Sequence, residues 1–353
     1  MRVLGIESSC DETAAAVVSS DGTVCSDVVR SQVAAHAPYG GVVPEIAARD
    51  HLRAGSAVVR RALVDAALGL TDVDGIAVTC RPGLIGALLV GVQLAKGLAW
   101  AADRPLVGVD HLVGHLLSVH LDPSTDGSEG PTFPYVGLLV SGGHTALYRC
   151  DGPLPSQMHE LGATRDDAVG EAFDKVAKLL GLGYPGGPII DQLAARGEAG
   201  RATVTLRAPM ARRDSLEFSF SGLKSAVARH VASHGAPADE RARADLCAAF
   251  QEVVTRTLVT KALRATRDLG MDTLVVAGGV AANRGLRDRM TAACDRRGVR
   301  LFIPPIRRCT DNAAMIAYAG AQRLAAGERD PLDLGPSTRT SLPQVTRKGR
   351  GRR

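Results

Sequence analysis

Val3-Leu-Gly-Ile6, Glu7-Ser-Ser-Cys-Asp-Glu12, Thr13-Ala-Ala-Ala-Val-Val18 and then Asp21-Gly22 read as strand, polar turn, strand and tight turn. The same order returns mid-chain. Tyr135–Val140 is a strand, Ser141-Gly-Gly-His144 a small polar turn, Thr145–Tyr148 a strand, and Asp151-Gly152 closes it. This ordered agreement at the head of each half predicts a duplicated α/β unit. Between and after the two copies the chain alternates helical and strand patterns. Helices are predicted over 47–70, 86–101, 166–180, 189–195, 221–234, 238–269 and 281–297, and buried strands over 75–79, 106–109 and 273–276. The 123–134 stretch, rich in Ser, Gly, Thr and acids, reads as the loop joining the halves. Such alternation calls for mainly parallel sheets flanked by helices, in two lobes with a cleft between them.

Composition narrows the class. At 353 residues the chain suits two domains, and 45% hydrophobic residues exclude wholesale disorder. One Trp, five Tyr and six Phe argue against binding single strands mainly by base stacking. The net charge of +5 is a property of the end of the chain. From Thr338 on there are six cations and no acid, and without them 36 cations remain against 37 acids. Such an end reads as a solvated tail or a polyanion contact. Seven scattered cysteines without a C-x-x-C spacing fit a reducing compartment better than a disulfide framework. Met1-Arg-Val-Leu-Gly-Ile-Glu7 turns polar too soon for a signal peptide, and Gln93 and Lys96 interrupt the most apolar stretch, so a cytoplasmic location is expected.

Asp110-His-Leu-Val-Gly-His115 follows a strand, so Asp110 can cap a helix whose first turns carry His111 and His115 on one face. Two imidazoles at i and i+4 can share one metal ion. The plainer reading is a pair of buried histidines bonded to backbone. Asp311, in Thr310-Asp-Asn312 ahead of a helix, is a candidate third ligand, and two His with one carboxylate suit Fe(II) or Zn(II). Leu112 stands where a zinc protease of the H-E-x-x-H type needs Glu. Three glycine bends, Ser141-Gly-Gly143, Tyr184-Pro-Gly-Gly187 and Gly278-Gly279, sit at strand and helix ends where backbone N–H groups can meet an anion. No Gly-Lys-Ser/Thr follows any of them, which excludes a Walker A loop. Glu7, Asp11 and Glu12 crowd one turn, as an exposed acidic tip or as groups requiring a cation or donors. Asp166, Asp167, Glu171 and Asp174 with Lys175 and Lys178 read as an ion-paired helix face. Eight arginines between Arg284 and Arg308 read as a phosphate-facing surface or a solvated helix.

A family resemblance adds to these readings. Leu4-Gly-Ile-Glu-Ser-Ser-Cys-Asp-Glu-Thr-Ala14, Tyr39-Gly-Gly-Val-Val-Pro-Glu-Ile-Ala-Ala-Arg-Asp-His51, Pro82-Gly-Leu-Ile-Gly86 and Val109-Asp-His-Leu-Val-Gly-His115 carry it. Leu139-Val-Ser-Gly-Gly-His-Thr145, Gly170-Glu-Ala-Phe-Asp-Lys175, Tyr184-Pro-Gly-Gly-Pro188, Phe218-Ser-Phe-Ser-Gly-Leu-Lys224, Gly278-Gly-Val-Ala-Ala-Asn283 and Thr310-Asp-Asn-Ala-Ala-Met-Ile316 continue it. From about Met1 to Arg323 the chain resembles the bacterial tRNA N6-adenosine threonylcarbamoyltransferases.

The resemblance implies an actin, Hsp70 and sugar-kinase type of fold with two duplicated lobes and an interlobe nucleotide cleft. Residues 1–112 would form the first lobe, completed by a helix at 312–330. Residues 113–311 would form the second, and 331–353 a basic, disordered tail. It implies transfer of threonylcarbamoyl from threonylcarbamoyl-adenylate to N6 of the adenosine beside the anticodon, position 37, in tRNAs reading codons that begin with A, with release of AMP. His111, His115 and Asp311 match the family's ligands for one Fe(II) per subunit, with Zn(II) as a substitute. Leu139, Val140, Ser141, Gly142 and Gly143 match its substrate loop, and Asp174, Gly187, Asp191 and Asn283 its other substrate positions. Asp11, Glu12 and His144 are candidates for taking the amine proton. The expected partners are tRNA, a paralogous and catalytically inert protein of the same fold, and a small P-loop ATPase, with no membrane.

Overall fold

The computed structural model describes residues 1–123, 130–207, 210 and 215–346. In chain order the first elements are β1 (Arg2–Glu7), β2 (Glu12–Ser19), β3 (Val24–Ser31), α1 (Val33–His36), α2 (Pro44–Asp65), β4 (Gly75–Arg81), α3 (Ile85–Ala102), β5 (Leu106–Asp110) and α4 (His111–Leu117). Then follow β6 (Tyr135–Val140), β7 (Thr145–Cys150), β8 (Met158–Ala163), α5 (Val169–Leu179), α6 (Gly186–Ala194), α7 (Ser221–His234) and α8 (Glu240–Asp268). The chain ends with β9 (Thr273–Ala277), α9 (Arg284–Asp295), β10 (Arg300–Phe302), α10 (Ile306–Cys309) and α11 (Ala313–Ala325).

These elements form two compact units. Unit 1 is Met1–Thr132, Asp151–Met158 and Thr310–Pro343. Unit 2 is Phe133–Cys150, His159–Cys309 and the described residues from Gln344 on. The expected boundary at 112/113 therefore moves to Thr132/Phe133, because α4 packs against α11 in unit 1. Within the expected disordered tail, the described residues 331–346 are ordered. Leu342 and Thr346 are buried, and residues 331–346 are held by hydrogen bonds. Positions 124–129 of the predicted joining loop and 347–353 of the tail lie outside the described residues.

Each unit holds a five-stranded sheet with one and the same order, β3-β2-β1-β4-β5 and β8-β7-β6-β9-β10. The predicted hairpins are β1–β2, with Glu7 opposite Ala14, and β6–β7, with Val140 opposite Thr145. β1 runs parallel to β4 and β4 to β5, while β6 runs parallel to β9 and β9 to β10. Parallel strands covered on both faces require near-continuous apolar sequence, and β4, β5, β6 and β9 are buried almost throughout.

Several helix ends differ from the periodic pattern for local reasons. α2 begins at Pro44, whose fixed φ suits a first helical position. α5 begins at Val169 because the Asp166 carboxylate accepts from Phe220 N and from the Ser219 and Ser221 hydroxyls, and so caps the entry to α7. The predicted helix from 281 is a short 3₁₀ turn followed by α9, separated by Asn283 as N-cap. α3, by length and composition, could cross a membrane, but it lays Ala87, Leu88, Gly91, Val92, Ala95 and Ala99 onto the sheet of unit 1.

α11 lies on the sheet of unit 1 at backbone distance. A Cβ at Gly5 would stand 2.4 Å from the Ala313 carbonyl oxygen, and one at Gly320 would stand 2.3 Å from Ala77 Cβ. Gly320→Val is expected to cost roughly 1–3 kcal/mol by overpacking. Gly97→Ala on α3, where a Cβ meets nothing within 4 Å, should gain about 0.5–1 kcal/mol. Chemical denaturation of the two variants checks both signs.

Candidate metal centre and glycine-lined site

β5 ends at Asp110, whose Oδ1 accepts from Leu112 N at 3.0 Å and caps α4. The cap starts the helix so that His111 and His115 fall on successive turns, with ring centroids 4.6 Å apart. Asp311 arrives immediately ahead of α11, where Asn312 caps the helix by accepting from Met315 N at 3.0 Å. Asp311 Oδ1 lies 3.4 Å from His111 Nε2 and 3.1 Å from His115 Nε2. One ligand atom from each of the three lies within 4.8 Å of the others. The sequence-predicted trio is thus brought together inside unit 1.

Behind it stands Glu7, which the sequence placed in an acidic turn without a role of its own. Glu7 is fully buried and accepts from Thr79 Oγ1 at 2.6 Å, Ser9 N at 2.5 Å and His111 Nδ1 at 3.0 Å. A buried carboxylate on the far nitrogen of a ligating histidine fixes the ring and its tautomer. The turn that carries it is braced by Gly83, across which Leu84 N donates to Ser9 O at 2.8 Å, and by His51, which bonds Thr13 Oγ1 and Cys10 O.

The electrostatics test whether a cation fits. Burial opposes charge on Glu7 and on Asp311, yet His111 overcomes it and holds both carboxyls below their usual range. Burial likewise opposes charge on His111, and the carboxylates of Asp311 and Glu7 outweigh it and raise its pKa well above the ordinary value. His115 is pushed down by burial. A ring with one proton cannot donate to carboxylates at both nitrogens. His111 must therefore either carry a second proton or give Nδ1–H to Glu7 and offer Nε2 to a cation. His115 Nδ1 is buried without a hydrogen-bond partner among the described residues. An unsatisfied polar atom costs about 1–3 kcal/mol. Two imidazoles and one carboxylate at this spacing are the donor set of Fe(II) and Zn(II).

Of the candidate proton acceptors, Asp11 and Glu12 belong to unit 1 and His144 to unit 2. Burial, with the charges of Asp311 and Asp11, pushes Glu12 up to about 9 in the metal-free protein. In unit 2 the side chains of Leu139 and Val140 are core residues, so only their backbone can meet a ligand. The turn beyond them is closed by Ser141 N to His144 O at 2.8 Å and tied to α5 by Gly170 N to Ser141 O at 3.2 Å. Gly142, Gly143 and Gly187 face open space, where a Cβ would meet nothing within 4 Å.

Asp174 accepts from Gly186 N at 2.7 Å and so sets the second glycine bend at the start of α6. Asp191 accepts from Gln251 Nε2 at 3.0 Å and from Arg284 N at 3.2 Å, while Asn283 donates to Gln251 Oε1 at 2.7 Å. Gln251 had no sequence signal, because it sits in the middle of the long helix α8 and meets its partners only in the fold. The predicted ion-paired face includes Lys175, which bridges Asp167 and Glu171 at 2.8 and 2.9 Å. Within the arginine-rich stretch, Arg287 is structural, donating to Ala281 O and Pro304 O, and Arg300 pairs with Asp272 at the surface.

A family model described as tRNA N6-adenosine threonylcarbamoyltransferase matches residues 23–318. A protein of that name from Sorangium cellulosum (strain So ce56) is 68% identical over the whole of both chains. One from Anaeromyxobacter dehalogenans (strain 2CP-C) is 53% identical over 94% of this chain and 97% of its own. The chain belongs to this family.

It is therefore a transferase of tRNA N6-adenosine threonylcarbamoylation, the activity its relatives are named for. The fold agrees. Full-length HypF in its phosphate- and nucleotide-bound form matches with a TM-score of 0.58 at 13% identity, over 92% of this chain and 46% of that one. (R)-2-hydroxyglutaryl-CoA dehydratase component A from Acidaminococcus fermentans matches at 0.53 and 14%, over 92% and 99%. Both likenesses are of fold, a duplicated α/β unit.

Two outcomes follow for the metal centre. Glu7→Gln should weaken metal affinity by about 10–100-fold while leaving all three ligands in place, measured by competition with a chromogenic chelator. Carboxyls held low in the folded state stabilise it above the unfolded chain's carboxyl range and lose that contribution as pH falls through it. Metal-free Asp311→Asn should therefore lose less stability than the metal-free parent between about pH 5 and pH 3, read by chemical denaturation.

Proposed function

We propose that the chain moves threonylcarbamoyl from threonylcarbamoyl-adenylate to N6 of adenosine 37 in tRNAs reading codons that begin with A. The observation that carries this reading is the cluster of buried His111 and His115 with half-buried Asp311, oriented by Glu7, in a chain of this family. The donor is a mixed anhydride, so its acyl carbon is already activated and phosphate is a good leaving group. The adenine amine attacks that carbon, the bond from carbon to the phosphate oxygen breaks, and AMP departs with the electron pair. A weak aromatic amine must be positioned and its proton removed.

His111, His115 and Asp311 would hold one Fe(II), or Zn(II) in its place, which when bound supplies Lewis acidity toward acyl-phosphate oxygens. The amides of Leu139–Gly143 offer donors for negative charge. Asp174, Gly187, Asp191 and Asn283 line the adenylate's place, with Asp191 and Asn283 held by Gln251. Asp11, Glu12 and His144 are the candidate acceptors for the amine proton.

The reading includes partners. α2 and α3 of unit 1 expose Leu52 at 73%, Ile85 at 53%, Leu89 at 45% and Trp100 at 77%. Apolar side chains so exposed on neighbouring helices suit burial against a second protein, here the paralogous inert partner. The small P-loop ATPase completes the set, in the cytoplasm.

Reconstitution with threonylcarbamoyl-adenylate, ATP, both partners and unmodified tRNA should yield the modified nucleoside and one AMP for each transfer. His111→Ala should lose metal and transfer together, and Gln251→Ala should raise the KM for the adenylate about tenfold with a smaller change in kcat. Full transfer by metal-free His111→Ala would refute the reading.

A further inference from the structure

Beyond α11 the chain turns back along β5, the edge strand of its sheet. Asp330 N donates to Leu106 O at 2.8 Å, and Gly108 N donates to Asp330 Oδ2 at 2.7 Å. Arg323 fixes this return through Asp330 at 2.9 Å and Glu328 at 2.6 Å, and also donates to Gly108 O. Ser337 N then bonds Cys80 O at 2.9 Å, and Leu342 is buried. Between these anchors the segment delivers three donors to one oxygen. Thr340 Oγ1 at 2.7 Å, Ser341 N at 2.7 Å and Ser341 Oγ at 2.9 Å all donate to Asp110 Oδ2. Asp110 is itself buried, its other oxygen caps α4, and the next residue is His111.

We infer that residues 330–342 form a strap whose Thr340 and Ser341 are positioning residues for the metal centre, acting through Asp110. The inference rests on the metal reading of His111, His115 and Asp311. The match to the family model ends at residue 318, so the strap lies beyond the part of the chain that it describes.

The strap reaches His111 from two sides. Through Asp110 it sets the first turn of α4, from which both imidazoles project. Through Cys80 it holds β4 beside Thr79, whose hydroxyl donates to Glu7. A ligand set must hold its geometry to about 0.5 Å to bind well. A carboxylate that keeps only its Leu112 contact can change rotamer and release the helix start. Without the strap Asp110 would lose three of its four donors, all of them at the oxygen that does not cap the helix.

The test uses the full chain with Thr340→Val and Ser341→Ala combined, and Thr340→Ser as the conservative variant. Hydrogen exchange of the α4 amides in metal-free protein is read first, and the dissociation constant for Zn(II) alone second. The double variant, which keeps Ser341 N and Leu112 N on Asp110, should exchange those amides at least about tenfold faster, well beyond any rise at the strands of the sheet, and bind Zn(II) about tenfold more weakly. Thr340→Ser should match the parent in both. Unchanged α4 exchange and unchanged Zn(II) affinity in the double variant would overturn the inference. A parent chain that binds no Zn(II) at His111 and His115 would instead overturn the metal reading, while faster α4 exchange in the double variant would still support the strap.

Discussion

A charged carboxylate buried beneath an imidazole is the constraint around which unit 1 is arranged. Glu7 lies at the end of β1, and keeping it ionised away from water is affordable only with donors on every side. Strand register supplies them. β1 and β4 pair Ile6 with Val78, which sets Thr79 beside Glu7, and β4 and β5 pair Thr79 with Val109, which sets His111 just past the strand end. The hairpin turn adds Ser9 N. With its inner nitrogen committed to Glu7, His111 has its outer nitrogen left toward Asp311 and His115. The chemistry of the centre is thus a consequence of three parallel strand ends, those of β1, β4 and β5, meeting side by side.

Much of this was legible before folding. The repeated strand, polar turn and strand gave the duplicated sheet because each copy carries its own local signal, and the two sheets share one strand order. His111 and His115 could be paired because helix geometry alone brings i and i+4 together. Asp311 came from chemistry, as a carboxylate ahead of a helix needed to complete a ligand set.

What stayed hidden is what depends on distant contact. Glu7 reads as one of three acids in a turn until Thr79 and His111 are placed around it. Gln251 is an ordinary polar residue within a long helix until Asp191 and Asn283 close on it. The end of the chain misled for a similar reason. Six cations suggested a solvated tail, yet the described part, up to residue 346, carries Leu342 into the core and threads Thr340 and Ser341 onto Asp110. Composition averages over a segment, whereas anchoring depends on a few side chains within it.

Unit 2 divides its labour differently. Its glycines leave open backbone where a ligand can approach, while Asp174, Asp191 and Asn283 are each bonded to a helix start that fixes them. The most direct test of the account is anomalous diffraction at the iron edge from crystals of the anaerobically purified protein. It predicts one iron scatterer bound by His111, His115 and Asp311 together. Iron bound at other residues, with these three still bonded only to one another in an enzyme that transfers at full rate, would contradict it.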